Sequence, residues 1–262
     1  MPFTEILVED AESVSVIRLN QPNSLNALTA RMLEELHNAF EMCATRARAI
    51  VLTSAGKAFS SGASLTSGLP PVAGNAAFDA GELLETHVNP LIIRLRNLPV
   101  PWISAVRGPA AGLGCSIALA ADMIVASDTA YFLQAFSRIG LVPDGGAAWL
   151  LTRAVGRTRA IELMLLGERL AAAKALEWGM INRVVSDDRL DAAALELAAT
   201  LAAGPTRAFG LIRELAWIAA DGDLSSVLAA ERAAQRKAGA FADATEGICA
   251  FMQKRSPKFS GA

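Results

Sequence analysis

Three short apolar segments constrain this fold most: Ala49-Ile50-Val51-Leu52-Thr53, Trp102-Ile103-Ser104-Ala105-Val106 and Met123-Ile124-Val125-Ala126. None carries a charge, and each reads as a buried strand. The 14 mostly apolar residues from Gly108 to Ala121 lie between the second and third. Strand, crossover helix, strand is the rhythm of an α/β protein. Ser13 to Leu19 predicts a further strand, Glu5 to Val8 a shorter one before it, and Asn182 to Val185 the last. Thr29 is placed to cap a helix whose Met32, Leu33, Leu36, Phe40 and Cys43 recur at i+3 and i+4. Pro90 sits early in, or kinks, a helix ending near Leu98. Beyond Val185 the pattern turns helical, over 188–203, 206–219, 224–240 and 244–254, with Asp243 as N-cap of the last. The organisation is an α/β core over residues 1–200 followed by a helical region over 201–262.

Composition narrows the functions such a fold could serve. With 24 Lys+Arg against 26 Asp+Glu, the net charge of −2 gives nucleic acid little to hold. A membrane span needs about 18 apolar residues. The uncharged run Ala58–Phe78 is broken by Ser, Gly, Pro and Asn, and Gly108–Ala121 is too short, so no membrane association is expected. The first five residues show no basic stretch ahead of an apolar one, and three dispersed cysteines suggest neither a disulfide framework nor a thiolate metal cluster. The expectation is a cytoplasmic protein. His37 and His87 are too few for a zinc site, and although Gly114-Cys115-Ser116-Ile117-Ala118 has a passing likeness to a hydrolase nucleophile elbow, no histidine follows Ser116 as that order requires. Gly112 to Ile117 lacks the third glycine of a dinucleotide loop, and no P-loop occurs.

Three features remain. The junctions Phe59-Ser60-Ser61-Gly62-Ala63-Ser64-Leu65 and Gly108-Pro109-Ala110-Ala111-Gly112-Leu113-Gly114 each follow a buried strand. Their small residues let a ligand reach the main chain, so converging N–H groups would form an oxyanion hole; the alternative is that the glycines merely close turns. In Leu141-Val142-Pro143-Asp144-Gly145-Gly146, the aspartate either caps a helix beginning near Gly145 or presents a carboxylate among apolar residues. Burial would raise its pKa and suit it to carrying protons.

With these features in view, the sequence resembles the crotonase superfamily, the enoyl-CoA hydratase/isomerases, nearly end to end. The resemblance rests on Leu19 to Leu28, Ile50 to Leu65, Ala105 to Ala126, Phe136 to Gly146 and the tail from Glu246 to Phe259. Phe136 to Asp144, with Trp149-Leu150-Leu151, is most similar to the phenylacetate-pathway branch of ring-epoxide isomerases that also shift enoyl-CoA double bonds. The resemblance implies a crotonase-like superhelix of β-β-α turns with a C-terminal helical region building trimers, or hexamers of two trimers. It implies that the thioester oxygen of an acyl-CoA substrate binds the backbone N–H groups of Ala63 and Leu113. The substrate would run past Ser24, Leu25, Ala27, Ser61, Ser64 and Leu65, with Lys258 and Phe259 near the adenine and Gly112, Ser116 and Phe136 also among the substrate-binding residues. No metal, nicotinamide or flavin is implied.

The departures from the family bear on the reaction. Ser116 and Phe136 match the positions of the two hydratase glutamates, and neither can act as a carboxylate. Asp144 matches the aspartate of the isomerase branch. Ser64 stands where the family usually has aspartate, and Ala147 where this branch has a glycine. Ser116 either orients a substrate or satisfies the core. The readings are an enoyl-CoA isomerase with Asp144 as proton shuttle, a 2-enoyl-CoA hydratase with Asp144 in unusual duty, and a non-catalytic acyl-CoA-binding trimer.

Overall fold

The computed structural model describes residues 3–64 and 79–262. Leu65, expected beside the substrate, and most of the small-residue loop read between Ser54 and Ala80 lie outside the described residues. Nine strands form two sheets among them. Strands β1 (Ile6–Ala11) and β2 (Val14–Leu19) make an antiparallel pair; β3 (Ala49–Ser54), β4 (Trp102–Val106), β6 (Met123–Ser127) and β9 (Arg183–Val185) then add in parallel, in the order β1-β2-β3-β4-β6-β9. The short strands β5 (Pro109–Ala111), β7 (Tyr131–Leu133) and β8 (Arg169–Ala171) form the second sheet.

Period-2 alternation sends the central strands into two cores. Ala49 and Val51 join Val14, Val16, Ile103, Ala105 and Val125 on the face covered by α6 (Leu190–Ala202). Ile50 and Leu52 join Ile17, Leu19 and Trp102 on the other face, under α1 (Ala30–Ala44) and α2 (Asn89–Arg96). Both faces are covered, which is why these strands carry no polar alternation. Helix α1 begins as the sequence predicts: the Thr29 hydroxyl accepts the Met32 amide at 3.0 Å. Pro90 stands in the first turn of α2, behind a π-type turn at Leu84–Val88.

The crossover after β4 is split between β5 and α3 (Leu113–Leu119). The helix read as beginning near Gly145 is α4 (Ala147–Leu166), whose length was not read, and α5 (Ala172–Glu177) has no counterpart in the sequence reading. Helix α4 is interrupted at Gly156, whose φ of 79° and ψ of 159° break its periodicity. Helices α7 (Thr206–Asp221), α8 (Leu224–Ala238) and α9 (Ala242–Met252) close the chain. Phe241, not Asp243, is the N-cap of α9. Asp243 is buried, and its carboxylate accepts the amides of Ser260 (2.7 Å) and Gly261 (2.8 Å), holding the C-terminal tail against the helix. Among the described residues, no helix is long and apolar enough to cross a membrane.

Candidate active site

Three loops leave the carboxyl ends of the neighbouring parallel strands β2, β3 and β4, and buried polar groups stitch them together. Asn26 is wholly buried with a φ of 53°, a left-handed conformation that Asn tolerates better than most residues. Its Nδ2 donates to the carbonyls of Ala55 (2.9 Å) and Ala58 (2.8 Å), and its Oδ1 accepts the Gln21 amide at 2.8 Å. The first loop is thereby locked onto the second. Residues 61–64 then run beside residues 25–28: the Ser61 amide donates to Leu25 O, the Leu28 amide to Gly62 O and the Ser64 amide to Leu28 O, all within 2.8–2.9 Å.

Ser60 links the second loop to the third. Its amide donates to Pro109 O at 3.0 Å, and its carbonyl accepts the Ala111 amide at 2.9 Å. Its hydroxyl donates to Asn26 O (2.8 Å) and accepts the Gly62 amide (3.1 Å). Gly62, at φ +100°, and Gly112, at φ +50°, consequently lie in contact. A β-carbon on Gly62 would fall 3.0 Å from Ala111 O, and one on Gly112 would fall 3.8 Å from both Gly62 Cα and Phe136 Cζ. Ala63 and Leu113 directly follow these touching glycines, so their amides project from adjacent backbone. Leu113 opens α3 and has no intrahelical acceptor for its N–H. Among the described residues the Ala63 amide has no acceptor either.

Asp144 sits in the turn between a 3-10 segment, Ala135–Ile139, and α4. Its carboxylate does not cap the helix. Helix α4 begins at Ala147 rather than near Gly145, its N-cap is Gly146, and the Ala147 amide donates to Asp144's backbone carbonyl at 3.0 Å. Asp144 Oδ1 is buried without a hydrogen-bond partner among the described residues. Burial alone pushes the carboxyl pKa up to about 6. An unpartnered buried carboxylate is costly to maintain, and a pKa near the working pH is what proton transfer requires.

The enoyl-CoA hydratase/isomerase family model matches residues 9–262. The chain belongs to this family. It is 42% identical over 262 residues to the 1,2-epoxyphenylacetyl-CoA isomerase of Escherichia coli (strain K12), covering 98% of each chain. It is 38% identical to a protein of Rhodobacter capsulatus named probable enoyl-CoA hydratase, over 100% of both chains. An enoyl-CoA hydratase subunit I structure from Geobacillus kaustophilus HTA426 superposes with a TM-score of 0.91 at 35% identity, covering 99% of each chain. The crotonase fold expected from the sequence is therefore the fold of this chain.

Within this family, the two positions that the resemblance matches to hydratase glutamates are closed to that chemistry. Phe136 is buried with its ring edge at Gly112. Ser116 is fully buried, and its hydroxyl donates to the Asp144 carbonyl at 2.9 Å. Ser24, Leu25 and Ser61 form an exposed shoulder next to Gly62 and Ala63, with Ala27 and Ser64 half-buried behind them. Lys258 and Phe259 lie apart from these residues, on the tail that Arg48 holds through the Phe259 carbonyl (3.0 Å). There Lys258 lines a separate cavity of about 400 Å³ with Asp243, Glu246 and Arg255. Sequence reasoning missed Asn26 and Ser60 as organisers. Both stood inside quoted motifs, but the partners that join the loops, Ala55 and Ala58 for Asn26 and Asn26, Pro109 and Ala111 for Ser60, are more than 25 residues away along the chain.

Proposed function

We propose that the chain is an acyl-CoA isomerase in which Asp144 carries a proton between two carbons of the substrate. The observation that carries this reading is the half-buried carboxylate of Asp144, whose Oδ1 is buried and unpartnered among the described residues and whose pKa is raised to about 6, in a chain where the two positions matched to hydratase glutamates hold Ser116 and Phe136. Adding water across a double bond needs a base for the water and an acid for the α-carbon. A 1,3-shift needs one group that does both in turn. The Asp144 carboxylate removes a C2 proton from a 3-enoyl-CoA, and the electron pair moves onto the thioester oxygen as a dienolate. The carboxylic acid then returns the proton to C4, leaving the conjugated 2-enoyl-CoA. The exchange is redox-neutral and internal to the substrate, so it calls for no cofactor.

The thioester oxygen takes its negative charge against the Ala63 and Leu113 amides, each donor of such a hole being typically worth ~10²- to 10³-fold in rate. General base catalysis supplies a further ~10²- to 10⁴-fold. The 1,2-epoxyphenylacetyl-CoA isomerase relative brings a ring-epoxide thioester within the same reading, since there too the hole would hold a thioester oxygen. The assembly proposed is a homotrimer, or a hexamer of two trimers, whose partner copies would cover exposed apolar side chains such as Leu165, Leu166, Phe251 and Met252.

The test follows the conjugated enoyl-thioester absorbance with 3-hexenoyl-CoA and, separately, with 2-hexenoyl-CoA. Isomerisation raises it in the first assay, and hydration lowers it in the second. A rise that Asp144→Asn abolishes while CoA affinity is retained supports the isomerase. Fast loss in the second assay with no rise in the first assigns a hydratase instead, and an Asp144→Asn enzyme as active as wild type removes Asp144 from the chemistry.

A further inference from the structure

No hydrogen bond holds the Asp144 carboxylate among the described residues, and yet a shuttle has to be aimed. Among these residues its aim comes from its own backbone. Two donors converge on the Asp144 carbonyl: the Ala147 amide at 3.0 Å, from the first turn of α4, and the Ser116 hydroxyl at 2.9 Å, from the middle of α3. The first is local to the turn. The second spans 28 residues and joins the turn to the short helix whose first residue is Leu113. The Ser116 hydroxyl has a single proton, and its other neighbour, the Gly112 carbonyl, is farther away at 3.3 Å. The shorter contact, to Asp144, is the better bond.

Packing reinforces this tether. Gly145, at φ +57°, rests directly on α3: a β-carbon there would meet Leu113 Cδ1 at 2.7 Å and Ser116 Cβ at 2.9 Å. The Asp144–Gly145 peptide is thus clamped to the same helical turn that supplies one donor of the proposed oxyanion hole. The proton carrier and the charge acceptor share one rigid mount.

We propose that Ser116 is the positioning residue for the Asp144 carboxylate, its hydroxyl fixing the Asp144–Gly145 peptide at a set distance from the Leu113 amide. This inference rests on the shuttle role given to Asp144 above. In this role Ser116 acts through the Asp144 backbone, to which its hydroxyl is bonded. Without the hydroxyl, the turn keeps its local bond from Ala147 and the chain still folds, but the carboxylate is free to swing. Misplacement of a reacting group by about 1 Å can cost ~10²-fold.

The experiment compares wild type, Ser116→Ala, Asp144→Asn and the double variant, using 3-hexenoyl-CoA turnover, KM, CoA affinity and thermal midpoint. Ser116→Ala is expected to lose roughly tenfold to a hundredfold in kcat with KM, CoA affinity and midpoint nearly unchanged. In the Asp144→Asn background the same change should cost nothing further, because the group it positions is gone. Wild-type kcat in Ser116→Ala, or an equal loss in both backgrounds, overturns the assignment while leaving the shuttle intact. Wild-type activity in Asp144→Asn overturns the shuttle itself. Should Ser116→Ala fail to fold, Ser116→Cys takes its place, with similar volume and a weaker donor. Reduced kcat at constant KM then supports the tether, and wild-type kcat overturns it.

Discussion

Ser60 and Gly114 touch across the two loops that meet at the proposed oxyanion hole: a β-carbon on Gly114 would lie 2.5 Å from Ser60 Cβ and 2.6 Å from its hydroxyl. Ser60 is itself pinned by bonds to Asn26, Gly62, Pro109 and Ala111, so it cannot yield. Gly114 is thereby the spacer that lets α3 approach the 60–64 loop. Overpacking a rigid core site typically costs 1–3 kcal/mol. Gly114→Ala is expected to lose about that much stability by denaturant unfolding. It should also lose kcat/KM beyond what the stability change explains, because the strain falls on the backbone carrying the Ala63 and Leu113 amides. Wild-type turnover in a folded Gly114→Ala would detach this contact from the site.

Asn26 is the second organiser. Its side chain satisfies three backbone groups at once, those of Gln21, Ala55 and Ala58. Asn26→Ala strands them in a buried setting, where each unsatisfied group costs about 1–3 kcal/mol. Partial relaxation should bring the total to roughly 3 kcal/mol. Urea unfolding measures it, and a loss below ~1 kcal/mol would mean that water replaces the amide.

The ion pair of Arg213 with Asp122 anchors α7. Arg213 Nε lies 2.7 Å from both carboxylate oxygens, and the rest of its guanidinium donates to the carbonyls of Leu95 and Leu98. Burial pushes the Asp122 carboxyl upward more than the arginine pulls it down. Removing one partner of such a pair costs about 3–5 kcal/mol, because a charge is left buried and alone. Arg213→Ala should show that loss in unfolding, and Arg213→Lys should recover only part, since an ammonium cannot reach both carbonyls and the carboxylate. Unchanged stability in Arg213→Ala would show that the pair is paid for by its own desolvation.

The central strands were legible because burial on both faces erases polar alternation: Ile50 and Leu52 face one core while Ala49 and Val51 face the other. Helix α1 was legible because Thr29 caps it locally. Strands β5, β7 and β8 are three residues each and exist only through pairing with distant chain, so no local period announces them. The start of α4 was read to within two residues, but its length was hidden by Gly156, which breaks its rhythm midway. Asp243 looked like a cap because cap chemistry is local, whereas its actual partners Ser260 and Gly261 lie 17 and 18 residues on. At the site, resemblance pointed to Asp144 and to Ala63 and Leu113. The bond from Ser116 to Asp144 could not be read, because helix spacing says nothing about which carbonyl a buried hydroxyl will meet.

The pH dependence of turnover follows from the Asp144 pKa of about 6. A base must be ionised to act, so kcat/KM for 3-hexenoyl-CoA should fall tenfold per pH unit below about 6 and level off above it. Asp144→Asn should flatten that limb along with the activity. An acid limb near the ordinary carboxylate value would place the base elsewhere.

Stability should run the opposite way to activity at this residue. Burial raises the Asp144 pKa from 3.8 in the unfolded chain to about 6 in the folded one, so the native state binds that proton more tightly. The resulting contribution to stability is complete below pH 3.8 and is lost as the pH rises through about 6. Above that, the fold carries a buried charge at a cost of roughly 1–3 kcal/mol, one pKa unit being 1.36 kcal/mol. Asparagine is neutral throughout. Asp144→Asn should therefore be more stable than wild type by about that amount at pH 8, with the gap shrinking towards zero near pH 4. Urea unfolding of both proteins across this range measures it. A pH-independent difference would mean that the carboxylate titrates as an ordinary solvated aspartate, and the case for Asp144 as a tuned proton carrier would fall with it.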